Sequence, residues 1–128
     1  MKVLLDTHVF LWFIAGDRRM SSLSRSVIED PGNGLLLSVA SVWEMAIKAS
    51  LGKLQLAQPI ERLIPEQLSV NLIDLLPVTP NHAFRVSSLP FHHRDPFDRM
   101  LIAQGLHEGI SILSSDEAFD IYGVARLW

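Results

Sequence analysis

The chain contains no cysteine, which removes disulfides, thiolate metal sites and thiol nucleophiles and agrees with a reducing compartment. No apolar run approaches the roughly 18 residues of a membrane span. The opening Met1-Lys2-Val3-Leu4-Leu5 meets Asp6 too early to read as a signal peptide, so the expectation is a soluble, cytoplasmic protein. A glycine-rich phosphate cradle is absent, as is a serine in a nucleophile-elbow motif. His8, His82, His92, His93 and His107 show no His-x-x-x-His spacing, and His92 and His93 are expected in a surface loop. There is also no basic surplus. The net charge is −3, which argues against a protein that coats nucleic acid. That objection weakens if several acids are gathered in one place, because the remainder is then slightly basic. Internal repeats and low-complexity segments are missing.

What is present is enough for a core. A length of 128 residues with 48% hydrophobic content implies one globular domain over residues 1–128. Lys2 to Leu5 reads as a short buried strand that stops at Asp6. Val9 to Ala15 is apolar on all sides, suggesting a helix buried by its neighbours or by a partner, ended by Gly16. Leu23 to Glu29 reads as a short helix, and Asp30-Pro31-Gly32-Asn33-Gly34 as a turn. Leu35 to Leu37 is the second strand. Ser41 with Glu44 three residues on has the signature of a capping box at the start of a helix running to about Ser50, with Glu44 and Lys48 at the favourable i, i+4 spacing. Ile60 to Leu68 has helical spacing, broken or kinked near Pro65, and Ile73 to Val78 is a third strand. Asn81 to Ser87 is a short helix. Asp95-Pro96 places an N-cap before a proline at the first helical position, so Asp98 lies in the first turn of a helix continuing through Leu101, Ile102 and Leu106. Ile110 to Leu113 is a strand, Ser114 to Glu117 leads into a helical turn, and Val124 to Trp128 is an edge strand. Strands separated by helical stretches imply an α/β fold with a mainly parallel sheet and helices on both faces.

Asp6, Glu44 and Asp116 each follow the C-terminal end of a strand, the edge where open α/β sheets bind ligands. Taken singly, each has a capping explanation, as do Asp95 and Asp98, because acids are common at helix starts. As a set they would repel one another. Lys48 and Arg99 are the nearest cations in sequence, and a divalent hard cation would resolve the repulsion; Mg²⁺ or Mn²⁺ takes carboxylate and water ligands. A cation so held activates water and clamps a phosphate oxygen, the requirements for hydrolysing a phosphodiester. Trp12, Trp43 and Trp128 read as core or interface residues.

Four segments, Leu4-Leu5-Asp6-Thr7, Ser41-Val42-Trp43-Glu44-Met45-Ala46-Ile47-Lys48, Asp95-Pro96-Phe97-Asp98-Arg99 and Leu113-Ser114-Ser115-Asp116, in this order and at these separations, resemble the PIN-domain family and within it the VapC-like toxins of toxin–antitoxin pairs. The resemblance implies a three-layer α/β/α sandwich and a Mg²⁺- or Mn²⁺-dependent endoribonuclease. The family's acids fall on Asp6, Glu44, Asp98 and Asp116. Asp6, Asp98 and Asp116 would be the metal ligands and Glu44 a water-orienting acid, with Asp95, Thr7, Ser115 and Arg99 as accessory candidates. It further implies an RNA substrate, a homodimer and a cognate antitoxin that occludes the cleft. Apolar surface around Phe10, Trp12 and Phe13 would suit either protein contact. A catalytically idle PIN-like binding module is the alternative. A phosphatase of the haloacid-dehalogenase type needs an acid where His8 stands, and a phosphorelay receiver needs a late lysine, whereas no lysine follows Lys53.

Overall fold

The computed structural model describes all residues, 1–128. Five strands, β1 (Lys2–Leu5), β2 (Gly34–Ser38), β3 (Ile73–Leu76), β4 (Ser111–Leu113) and β5 (Arg126–Leu127), form one sheet in the order β3-β2-β1-β4-β5. Every neighbouring pair is parallel. The helices are α1 (Thr7–Ala15), α2 (Ser22–Glu29), α3 (Val39–Ser50), α4 (Ile60–Asn71), α5 (Pro80–Ser87) and α6 (Pro96–Glu108), with a 3₁₀ helix at Glu117–Tyr122. No helix is long and apolar enough to cross a membrane.

The central strand shows why there are three layers. Val3, Leu4 and Leu5 are all fully buried, and successive side chains of a strand point to opposite faces. Val3 and Leu5 join a core with Val9, Phe10, Ile28, Met45 and Ile64, contributed by α1 to α4. Leu4 joins a second core with Leu101, Ile102, Ala103 and Ile112, formed mainly by α6 over β4. A strand buried on both faces needs a helical layer on each.

Most predicted elements appear within a few residues of their expected bounds. Ser41 and Glu44 do not form a capping box. The helix starts earlier, at Val39, and Ser38 caps it by accepting from Ala40 N; Ser41 and Glu44 lie one turn inside, where both are buried. At Pro65 α4 does not end but continues to Asn71. Phe10 is fully buried, so it contributes nothing to the surface of α1, where Leu11, Trp12, Phe13 and Ile14 remain half-buried against the core. Trp43 is no core residue: it is 63% exposed, its ring edge-on to Phe97 at 5.3 Å.

One contact sets how closely α6 lies on the sheet. A Cβ on Gly105 would fall 2.8 Å from Val124 Cγ2 and 3.0 Å from Ile112 Cδ1, so only glycine lets the helix approach β4 this far. Gly105→Val should lower unfolding free energy in urea by at least about 2 kcal/mol, overpacking outweighing the gain in helix propensity. An unchanged unfolding midpoint would show that α6 can shift freely.

Candidate active site

With β1 between β2 and β4, the C-terminal ends of three adjacent strands present the segments that follow them. The chain leaves β1 toward β2 on one side and returns to β4 on the other, so the crevice between β1 and β4 is a topological switch point of the kind where α/β sheets bind ligands. Asp6 stands at its lip. Its backbone N–H bonds to Leu113 O at 3.0 Å, extending the β1–β4 ladder by one residue and aiming the side chain inward. Ser114, just past β4, donates its hydroxyl to Asp6 Oδ2 at 2.7 Å and accepts from Asp116 N at 3.1 Å. One buried serine thus locks two of the acids together.

The other two arrive on helices. Thr7 Oγ1 lies 2.8 Å from Ser41 Oγ and 2.8 Å from Glu44 Oε1. A hydroxyl has one proton, and the carboxylate, which only accepts, takes it. Lys48 donates to Glu44 Oε2 at 2.7 Å, the i, i+4 pair expected from the spacing. Both oxygens of Glu44 are therefore engaged and its charge is offset. Asp98 is carried by the tip of α6, where Asp95 Oδ1 caps the helix by accepting from Phe97 N at 2.8 Å and Asp98 N at 3.1 Å. Asp95 adds a negative charge nearby while working as a cap. Asp116 caps the 3₁₀ helix, its Oδ1 accepting from Ala118 N at 3.0 Å.

Asp98 bears the strongest strain. Burial, followed by the charges of Asp6, Asp95, Glu44 and Asp116, pushes its carboxyl up to about 8. Burial likewise raises Asp6, against the lowering effect of the Ser114 hydrogen bond. Asp6 Oδ1 is buried and has no hydrogen-bond partner at all, an unusual state for a carboxylate oxygen. A divalent cation would satisfy both: it offers the orphaned oxygen a partner and offsets the mutual repulsion, and the donor set is all hard oxygen. The residues fit Mg²⁺ or Mn²⁺ on this ground.

Two accessory candidates lie elsewhere. Arg99 does not face the acids. It is buried, turned away from the acids, and donates to the backbone carbonyls of Pro90, His93, Val86 and Leu89 at 2.8–3.4 Å, holding the incoming loop against the helix. Ser115 is exposed, and its neighbour Ser114 makes the contact to Asp6. Conversely, His93 is not a loop bystander: its Nε2 is 3.0 Å from Asp98 Oδ2 and 3.6 Å from Asp116 Oδ2. The only signal for it in the sequence was its place two residues before the N-cap of α6. Thr7 reaches the acids by donating to Glu44.

The raised carboxyl of Asp98 sets a pH dependence. In the unfolded chain the group loses its proton near 3.8, in the folded chain near 8, so across that window the folded state holds the extra proton and stability falls as pH rises. Without divalent ions, the melting temperature should decline between about pH 5 and pH 8, and Asp98→Asn should flatten the decline. A parallel slope in that variant would place the strain on another group. Arg99→Met should cost several kcal/mol in urea unfolding, since it strips a charged donor from buried carbonyls; a loss under about 1 kcal/mol would refute its role as a loop anchor.

Sequence and structure comparisons agree with this geometry. A profile of the PIN domain matches residues 3–125. Ribonuclease VapC22 of Mycobacterium tuberculosis is 30% identical over 115 residues, covering 89% of this chain and 86% of that protein. Among solved structures, VapBC2 from Rickettsia felis, bound to a DNA fragment from its promoter, superposes with a TM-score of 0.70 at 12% identity, covering 100% of this chain and 98% of that one. VapBC-5 of Mycobacterium tuberculosis, a member of the VapBC family of toxin–antitoxin systems, superposes with a TM-score of 0.58 at 20% identity over 97% and 93% of the two chains. A parallel five-stranded sheet flanked by helices on both faces, carrying a group of acids at one edge and matched by a profile spanning nearly its whole length, makes this chain a member of the PIN-domain family, in its VapC-like branch.

Proposed function

We propose that this chain is a divalent-metal-dependent endoribonuclease acting as the toxin of a toxin–antitoxin pair. The observation that carries the reading is the meeting of Asp6, Glu44, Asp98 and Asp116 at one sheet edge, with Asp6 Oδ1 buried and unpartnered. An idle binding module would have no use for such mutually repelling acids, which at Asp6 and Asp98 are held at a cost to the fold. The 30% identical relative bears the name ribonuclease, and one structural neighbour is described as a toxin–antitoxin system; both support the substrate class and the partner.

The ligand oxygens divide among the acids according to what already holds them. Asp6 would ligate through Oδ1, since Ser114 occupies Oδ2. Asp116 has Oδ2 to offer, its Oδ1 being spent on the 3₁₀ helix. Asp98 completes the set from the helix tip. Glu44, held by Thr7 and Lys48, stays outside the ligand set and serves to orient water. When bound, the cation would activate water and neutralise charge gathering on the phosphate. Two separate apolar grooves, of about 600 Å³ beside Trp43 and Phe97 and about 490 Å³ beside Trp12 and Leu63, give room for a second copy of the chain and for an antitoxin. The homodimer and the antitoxin complex belong to this proposal.

Purified protein should cleave single-stranded RNA with Mg²⁺ or Mn²⁺, stop in EDTA and recover when metal is returned. Asp6→Asn or Asp98→Asn should each lower the rate by at least about a thousandfold, the several kcal/mol that a bound cation lends the transition state, while far-UV circular dichroism stays unchanged. Cleavage that survives chelation or either substitution would refute the metal-dependent site.

A further inference from the structure

Glu44 differs from the other acids in that a full positive charge already holds it. Its side chain is 4% exposed, Thr7 donates to Oε1 at 2.8 Å, and Lys48 donates to Oε2 at 2.7 Å. Asp6, Asp98 and Asp116 have no lysine or arginine within ion-pair distance. Yet Glu44 lies close enough to the others for its charge to help raise the carboxyls of both Asp6 and Asp98. By proximity and chemistry it is a fourth candidate ligand for the cation.

The ammonium removes it from that set. A divalent ion ligated by Oε2 at about 2.0–2.1 Å would stand within about 5 Å of Lys48 Nζ, since Nζ is itself 2.7 Å from the same oxygen. Two cations that close repel. A glutamate followed by a lysine four residues on is the favoured order on a helix, so α3 delivers this charge without help from another element. On an open surface such a pair contributes little. Here only the lysine reaches water, its side chain 39% exposed, whereas the carboxylate does not, and a buried oxygen has no solvent to replace a donor it loses. The hydrogen bond to Glu44, followed by the charges of Glu44, Asp95 and Asp98, holds the lysine's proton on more firmly than usual, against the opposing effect of partial burial.

We infer that Lys48 is a positioning residue that, by holding Glu44 Oε2, bars this carboxylate from the coordination sphere, so that aspartates alone ligate the cation. Without the ammonium, Oε2 would be left with no donor, in the condition of Asp6 Oδ1, and the cation would draw it in. The inference rests on the metal-dependent reading above and deepens it.

Infrared difference spectra of the full chain, labelled with carbon-13 at the glutamate side-chain carboxyls, separate glutamate from aspartate bands and report which kind shifts when Mg²⁺ is added. In the unsubstituted chain only the unlabelled aspartate bands should shift. In Lys48→Met a labelled glutamate band should shift as well, and combining Lys48→Met with Glu44→Gln should abolish that shift, which assigns it. Lys48→Arg, which keeps both the charge and a donor, should behave as the unsubstituted chain. A shifted glutamate band in the unsubstituted chain that Glu44→Gln removes would show Glu44 ligating beside its lysine and overturn the inference. So would a Lys48→Met spectrum in which no glutamate band moves. Either result leaves the aspartate bands, and with them the metal site, standing. The absence of any Mg²⁺-dependent carboxylate band in the unsubstituted chain would overturn the metal-dependent reading, and this one with it. Should Lys48→Met fail to fold, Lys48→Gln, which has a polar end but no charge, carries the same expectation.

Discussion

Repulsion among carboxylates at the C-terminal edge of a parallel sheet is the constraint to which the rest of this structure answers. Burial and four like charges drive the Asp98 carboxyl up to about 8, and Asp6 keeps a buried oxygen with no partner. The interior cores could be built without either feature. They hold a destabilising site in place, and the apolar layers on both faces of β1 supply the stability against which it is held. Strain kept at one point and offset elsewhere is how functional sites differ from the rest of a fold.

Each acid meets the repulsion through a different small donor. Glu44 has a lysine one turn along its own helix and a threonine from α1. Asp6 has the hydroxyl of Ser114 and Asp116 a backbone N–H at the head of the 3₁₀ helix, while Asp98 has only a close contact with the His93 ring. Charge is offset fully only at Glu44. The remaining three are oriented more than neutralised, and the repulsion is felt most by Asp98. Orientation by neutral donors keeps the ligands basic, where a full countercharge would compete with the metal.

The scaffold behind the site works by close approach. Gly105 lets α6 lie against β4 and Val124, and Arg99 draws the loop of His93 onto the same helix. Asp98, Asp95 and His93 therefore move as one block fixed to the sheet. Exposed aromatic surface at Trp43 and Phe97 begins immediately beside Glu44 and Asp98 in the chain, so any partner that covers it also approaches the acids.

Much of this was legible from residue order alone. Burial on both faces of short strands, helix spacing between them and Asp-Pro at a helix start are local patterns, governed by periodicity and by backbone geometry within a few residues; they determine the parallel sheet, the helix layers and the placing of Asp98 in a first turn. The post-strand positions of Asp6 and Asp116 were readable for the same reason, whereas Glu44 lies beyond the first turn of α3. What only the tertiary structure decided were the partners of those acids. Ser41 and Glu44 have the spacing of a capping box, yet a start three residues earlier, capped by Ser38, turned both inward toward Thr7, because helix registration answers to packing as well as to caps. Arg99 carries a charge that the sequence sets beside Asp98, but at successive helical positions the two side chains point about 100° apart, and the arginine went to the loop carbonyls. Ser114 meets the carboxylate of Asp6 only because chain segments far apart in sequence are brought together by the fold, and no local rule reports a hydrogen bond between strangers.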